Sequence, residues 1–395
     1  MSIPPSPRPV LLTLPLPLLL LLPLLLLPTA PVRGCLWDYD TLQMERSAFP
    51  SALELITGDF RRHSDEYYQW RVRNRTSRLS TDLAALTPEQ YPLIDDLAVA
   101  HDKLGDPARG IALLDAVLSL APDRYEALAN RGTLKVHAGD LDGGLVDLRR
   151  ALEVNPDAHF GREIVQVRLI EWLRSRREAG TEARPLTTPQ RSHAAEGTGF
   201  ESFRLGLEPP LSRSDAIEGL LGMVRFGIHD SPVLLEVLGE LLHADGHKRT
   251  AARAYLRAMD GAQSVEEWRG YRSCAEAALS MQTPAPGQPK ELELRELEAT
   301  YREELKRADA AFAELRENEK RWIAAGEDVD ARYAELYYPG SAAGGGTEGA
   351  PKNPTAGNPL AGNPLAGNPL AGVTLLTLLT LLGGLLLVFA ILKKL

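Results

Sequence analysis

The sequence predicts an all-α protein: helix–turn–helix units stacked in two lobes, then a long amphipathic helix and a single C-terminal transmembrane helix. Three observations carry this reading. The pattern "GDPARGIALLDAVLSLAPD" at 105–123 returns as "GDLDGGLVDLRRALEVNPD" at 139–157. Elsewhere apolar residues recur every three or four positions, the spacing of one helix face. Residues 373–392, "VTLLTLLTLLGGLLLVFAIL", carry no charge.

The first 34 residues have the layout of an export signal. Arg8 precedes the leucine-rich run 11–27, and small residues follow in "PTAPVRGC". Pro15, Pro17 and Pro23 would break a spanning helix. Cleavage of this leader and its retention as an anchor are both open. Cys35 follows "PVRG" and partly matches a lipidation site, although Arg33 stands where a small uncharged residue is usual. Lipidation of Cys35, a disulfide with Cys274, the chain's other cysteine, and unpaired thiols are the alternatives. Residues 35–90 form an N-terminal segment holding a degenerate repeat. There, 57–75 reads as a second helix with Gly58, Asp59 and Phe60 as its turn. In "CLWDYDTLQMER", Trp37 and Leu42 could staple the segment onto the first helix.

Residues 91–124 and 125–158 share eight identities, among them Tyr91/Tyr125 and Asp123/Asp157, and the other six have a local physical role. Gly105 and Gly139 suit left-handed helix ends, and Asp106 and Asp140 cap the helices that follow. Gly110 and Gly144 permit close helix packing. Leu114 and Leu148, with Leu118 and Leu152 four residues on, make an apolar stripe. Pro122 and Pro156 close the second helix of each unit. Thr87 to Gln90 reads as a capping box opening the first full unit. Residues 159–178 are expected to cap this first lobe, 91–179, with a further helix. A third unit at 232–265 lies in the second lobe, 213–281. It begins with Ser231 and Pro232 and contains Gly239, Ala251 and Tyr255.

On these residues the chain resembles the tetratricopeptide repeat (TPR) family, whose period is 34. The resemblance covers about 55–270 and rests on Leu97–Ala98, Gly110, Leu114, Val117 and Pro122. It continues through Gly132, Gly144, Leu148, Ala151 and Pro156, then Leu238–Gly239, Gly246, Ala251, Tyr255 and Ala258. It implies a superhelix with a concave groove that takes a protein or peptide ligand. Family geometry assigns nine groove positions. They are Asp95, Val99 and Asp102 in the first unit, Ala129, Thr133 and Val136 in the second, and Glu236, Glu240 and His243 in the third. Their acidic members suit a basic or amphipathic peptide, or equally a solvated acidic face.

Residues 180–212 lack periodicity and read as a partly disordered linker. "QTPAPGQP" at 282–289 is a second break. Within 290–338, Leu294, Leu297, Tyr301, Leu305, Ala308, Phe312 and Leu315 form the stripe of one helix stopped at Gly326. That stripe suits a coiled coil or docking onto the repeats. Residues 339–372 contain "AGNPL" three times and read as an extended tether. Twenty uncharged residues at ~1.5 Å each match the ~30 Å hydrocarbon core of a bilayer. Lys393 and Lys394 then favour a cytoplasmic C-terminus and a body outside.

Net charge is −9, which argues against a nucleic-acid partner. No zinc spacing, HExxH, GxSxG or phosphate loop is present. His243 and His247 are four apart, but Gly246 breaks the helix between them. The expectation is a membrane-tethered, non-catalytic interaction scaffold without a cofactor, resembling exported bacterial TPR proteins. The alternatives are a factor that transiently holds exported chains, a lipoprotein, and an enzyme with an unrecognised site.

Overall fold

The computed structural model describes residues 49–79, 82–156, 162–186, 199–280 and 290–338. The leader, Cys35, the 35–46 cluster, the tether and the 373–392 segment lie outside the described residues. Within them all regular structure is helical, and no helix is long and apolar enough to cross a membrane.

Helix α1 (Ala52–Thr57) opens with a capping box. Ser51 N–H donates to Glu54 Oε2 at 2.7 Å, and Glu54 N–H donates to Ser51 Oγ at 3.3 Å. Gly58, at φ 79°, closes it. Helix α2 (Asp65–Thr76) begins only at Ser64, whose hydroxyl accepts the Tyr67 N–H. The helix predicted over 57–75 is therefore shorter at its start, because Gly58 ends one helix and Ser64 caps the next.

The repeat region forms α3 (Tyr91–Lys103), α4 (Pro107–Leu120), α5 (Tyr125–His137) and α6 (Leu141–Val154). Asp106 accepts the Arg109 N–H at 3.1 Å, and Asp140 accepts the Gly143 N–H at 2.9 Å. Gly105 and Gly139 stand at φ 86° and 90°, where a side chain is strained. Pro122 and Pro156 lie in exposed turns just past α4 and α6. Gly110 and Gly144 mark close helix crossings. A Cβ at Gly110 would stand 2.3 Å from Leu134 Cδ2 and 2.8 Å from the Ala98 carbonyl oxygen. One at Gly144 would stand 2.4 Å from Val136 Cγ2 and 2.9 Å from the Gly132 oxygen. Leu114 and Leu148 are fully buried.

Helix α7 (Arg162–Glu178) is not a terminal cap. It packs on α6 and also on α9 (Arg213–Phe226), burying Val165, Leu169, Ile170 and Trp172. Its residues are apolar on more than one side, so a single partner helix cannot cover them. The intervening α8 (Phe200–Leu205) falls inside the stretch predicted as a linker. Helices α10 (Pro232–Ala244) and α11 (Lys248–Asp260) make the third hairpin, where Gly239 faces the Tyr255 ring and Ala251 and Tyr255 are fully buried. Helix α12 (Val265–Ser280) follows. Gly261, rather than a proline, ends α11. Cys274 on α12 is buried in the same core, and that burial pushes its thiol up to about 12.

Helix α13 (Lys290–Ala324) docks on its own chain instead of pairing as a coiled coil. At 35 residues it is about 52 Å long. Its first half buries Leu294, Leu297 and Tyr301 with α11 and α12, and Arg253 meets Glu304 at 2.7 Å. Its second half buries Leu315 and Trp322 against Tyr67 of α2 and against α14 (Val329–Tyr337). Asp330 of α14 accepts from Tyr67 Oη at 2.6 Å and from Arg75, which also holds Asp96 of α3 at 2.7 Å. The two ends of the described body converge. The Arg225 guanidinium lies 4.8 Å from the Phe49 ring, and burial lowers its pKa to about 10. Arg61 stacks over Tyr337 and Tyr338 and donates to the Tyr337 carbonyl.

Candidate functional site

The nine positions assigned to a groove face inward, and all nine are buried. None is open to an outside peptide in this structure, because the chain's own groups already cover them. This corrects the expectation of an open acidic surface. Asp95 pairs with Arg124 at 2.6 Å. Asp102 takes His137 Nδ1 at 2.8 Å, with both side chains buried. Thr133 Oγ1 accepts from Gln166 Nε2 of α7 at 2.8 Å. Val99, Ala129 and Val136 are core residues. His243 is buried on α10, while His247 stands at the N-cap position of α11 and lies 3.4 Å from Asp245.

Glu236 and Glu240 behave differently from the first-lobe acids. Each is fully buried on α10, and each accepts backbone N–H groups from the linker. Being four apart, they project from one helix face. Glu236 Oε1 takes the Leu186 N–H at 2.8 Å, and its Oε2 takes the Tyr271 hydroxyl at 2.7 Å. Glu240 Oε2 takes the Phe200 N–H at 2.9 Å at the start of α8. Gly199 lies so close that a Cβ there would be 1.9 Å from Glu240 Oε1. Burial pushes the Glu240 carboxyl up to about 8, against the downward pull of the Phe200 and Glu201 N–H groups.

The rest of the seat is apolar and ionic. Phe200, fully buried, meets Trp172 of α7 edge-on at 5.8 Å and stacks near Phe203 at 6.1 Å. Glu201 is buried beneath Arg204 and Arg213, at 2.6 Å from each. Burial opposes its ionisation, yet those two cations hold its carboxyl below the usual range. Leu186 is buried beside the other stretch. Sequence reasoning missed Leu186, Gly199, Phe200, Glu201 and Tyr271. The one available signal was a cluster of Phe200, Phe203 and Leu205 inside an otherwise polar segment.

Chemically, this face holds the chain's own Leu186 and Phe200 N–H groups. Two carboxylates accept N–H groups, an aromatic pocket takes one ring, and a glycine allows the close approach. Among the described residues no group of three or more His, Cys, Asp or Glu side chains could hold a metal ion. In residues 63–68, "HSDEYY", His63, Ser64 and Tyr67 are buried while Asp65 is exposed, and Glu319 binds His63 and Ser64. Comparison of the chain with protein-family models, curated proteins and solved structures gives no match.

Proposed function

We propose that the protein is a non-catalytic scaffold for protein or peptide partners, of TPR type. Its helical body is held outside the cytoplasm by a membrane helix at 373–392. One observation carries the reading: α10 already grips peptide backbone, through Glu236 on Leu186 and Glu240 on Phe200. A surface that binds main-chain N–H groups selects polypeptide over small metabolites or nucleic acid. The 34-residue recurrence and the uncharged C-terminal run followed by Lys393–Lys394 support the repeat type and the orientation.

Affinity purification from gently solubilised membranes tests the partner class. One or a few stoichiometric partners is the expected result. Many weak ones would favour a holding factor for exported chains, and none would overturn the scaffold. Topology is tested with Cys35→Ser chains carrying Ser341→Cys or Leu395→Cys. A membrane-impermeant thiol reagent should label the first and spare the second in cells with a permeabilised outer layer. The reverse pattern overturns the orientation.

A further inference from the structure

Glu163, at the start of α7, is buried, and no cation among the described residues pairs with it. Its carboxyl accepts from the Tyr125 hydroxyl of α5. Glu163 stands two 34-residue periods after Asp95, so the two acids hold equivalent places in the repeat. Their surroundings differ. Asp95 pairs with Arg124, the residue just before Tyr125. The first turn of α5 is thus held on one side by an ion pair and on the other by a neutral hydroxyl on a carboxyl.

The charged groups packed around Glu163 are engaged elsewhere. On α5, Arg124 turns to Asp95 and Glu126, Arg131 and Lys135 meet Asp147 of α6, and His137 meets Asp102. Across the α6–α7 contact, Arg149 meets Glu171 and Asp142 meets Arg174. Glu201 of α8 is held by Arg204 and by Arg213 of α9. Arg225 of α9 lies over Phe49, and Arg162 of α7 lies over Phe226. Asp215 and Glu218 of α9 are exposed. An ionised Glu163 therefore loses its water with no cation to offset the loss. Burial lifts the group from 4.5 to about 7, against the opposite pull of the Tyr125 hydroxyl.

We propose that Glu163 and Tyr125 form a pH-sensitive latch on the seam between α5 and α7, closed while Glu163 holds its proton and loosened when that proton passes to solvent. Loosening is a local opening of the first turns of α7 that lets water reach the carboxylate. Farther along, Leu169, Ile170 and Trp172 keep the helix in the core. Because α7 packs on both α6 and α9, the latch sets how firmly the repeats are joined to the second lobe. It acts whatever the body binds. The closed form keeps a proton that the opened carboxyl, at its ordinary 4.5, releases. Each pH unit above the closed-form value therefore favours opening by about tenfold.

The test is hydrogen exchange of the detergent-solubilised full chain, corrected for the pH dependence of intrinsic exchange. Protection of the amides in the first two turns of α7 should fall about tenfold between about pH 6 and pH 8, relative to central amides of α10. Glu163→Gln keeps an oxygen for the Tyr125 hydroxyl but cannot titrate, so its protection should stay level. A wild-type chain with level protection overturns the latch, and so does an equal fall in Glu163→Gln. Tyr125→Phe keeps the proposal testable if the glutamine variant fails to fold. It removes the donor that favours the ionised form, so the midpoint of the fall should move to higher pH. A midpoint that stays in place overturns the proposal.

Discussion

Glu319, near the end of α13, holds His63 Nδ1 at 2.6 Å and the Ser64 N–H at 3.0 Å, and it has no solvent exposure. One carboxylate thus fixes the start of α2 to a helix more than 250 residues later. Ser64 in turn caps α2, and His63 stacks on Tyr67 at 3.5 Å between centroids. The anchor therefore sits where the N-terminal segment, α13 and α14 meet.

Removal of that anchor takes the carboxylate acceptor away from the His63 ring and the Ser64 N–H. Glu319→Ala should cost about 2–4 kcal/mol of stability, and Glu319→Gln less, since an amide oxygen still accepts one N–H. Urea unfolding of the two variants measures the difference. Equal midpoints for Glu319→Ala and the wild type would show that the junction holds without it.

Two kinds of glycine in the repeats should respond differently to substitution. Gly110→Leu or Gly144→Leu forces a side chain into neighbouring backbone and should cost ~1–3 kcal/mol or more. Gly105→Ala and Gly139→Ala meet no atom within 4 Å but must adopt positive φ, so about 1 kcal/mol is expected. Thermal melting of the four variants orders them. Unchanged melting in both leucine variants would remove the close-packing role.

Lys103, at the end of α3, donates its ammonium to the Phe226 carbonyl at 3.0 Å and to the Gly227 carbonyl. It therefore cations the C-terminal end of α9 from the other lobe, where carbonyls point outward without helix partners. Lys103→Met should lower stability by about 1–2 kcal/mol through this lost interaction. Differential scanning calorimetry should also show a broader transition as coupling between the lobes weakens. An unchanged, equally sharp transition would place the coupling elsewhere.

Stability should fall as pH rises through neutrality. Burial lifts Glu240 to about 8 and Glu163 to about 7 from an ordinary 4.5. Between those values the unfolded chain has released protons that the folded chain keeps, so raising pH favours unfolding. His229 acts oppositely. Burial and the neighbouring Arg62 charge lower it from 6.5 to about 3, so its contribution is lost as pH falls below 6.5. Glu201 and Glu66, held low by arginines, also lose stabilisation below about 4.5. The melting temperature should therefore peak at mildly acid pH and decline toward pH 8.5. Glu240→Gln should flatten that decline, and an unaltered slope would show that Glu240 does not titrate there.

Local features were legible in the sequence. Asp106, Asp140, Gly105 and Gly139 cap and end helices through groups only a few residues away, so their spacing reveals them. Gly326, at φ 71°, ends α13 for the same reason. The fate of the groove positions was not legible. Glu236 and Glu240 read as exposed acids until Leu186 and Phe200, 50 and 40 residues earlier, fold over them. The separate helix α14 was also missed. Its identity depends on Asp328 capping Ala331 just after Gly326, a short signal within a charged stretch. The α13 stripe fitted either a second copy or its own chain, and the docking on Arg253 and Tyr67 shows only in tertiary contacts.

The contacts of Phe49 with Arg225 and of Arg61 with Tyr337 also govern how load travels through the molecule. A pull applied between the two termini of the body meets several joints in parallel: these two, Glu319 on His63 and Ser64, and Asp330 on Tyr67 and Arg75. Because Arg225 belongs to α9, part of that load passes directly into the stacked helices.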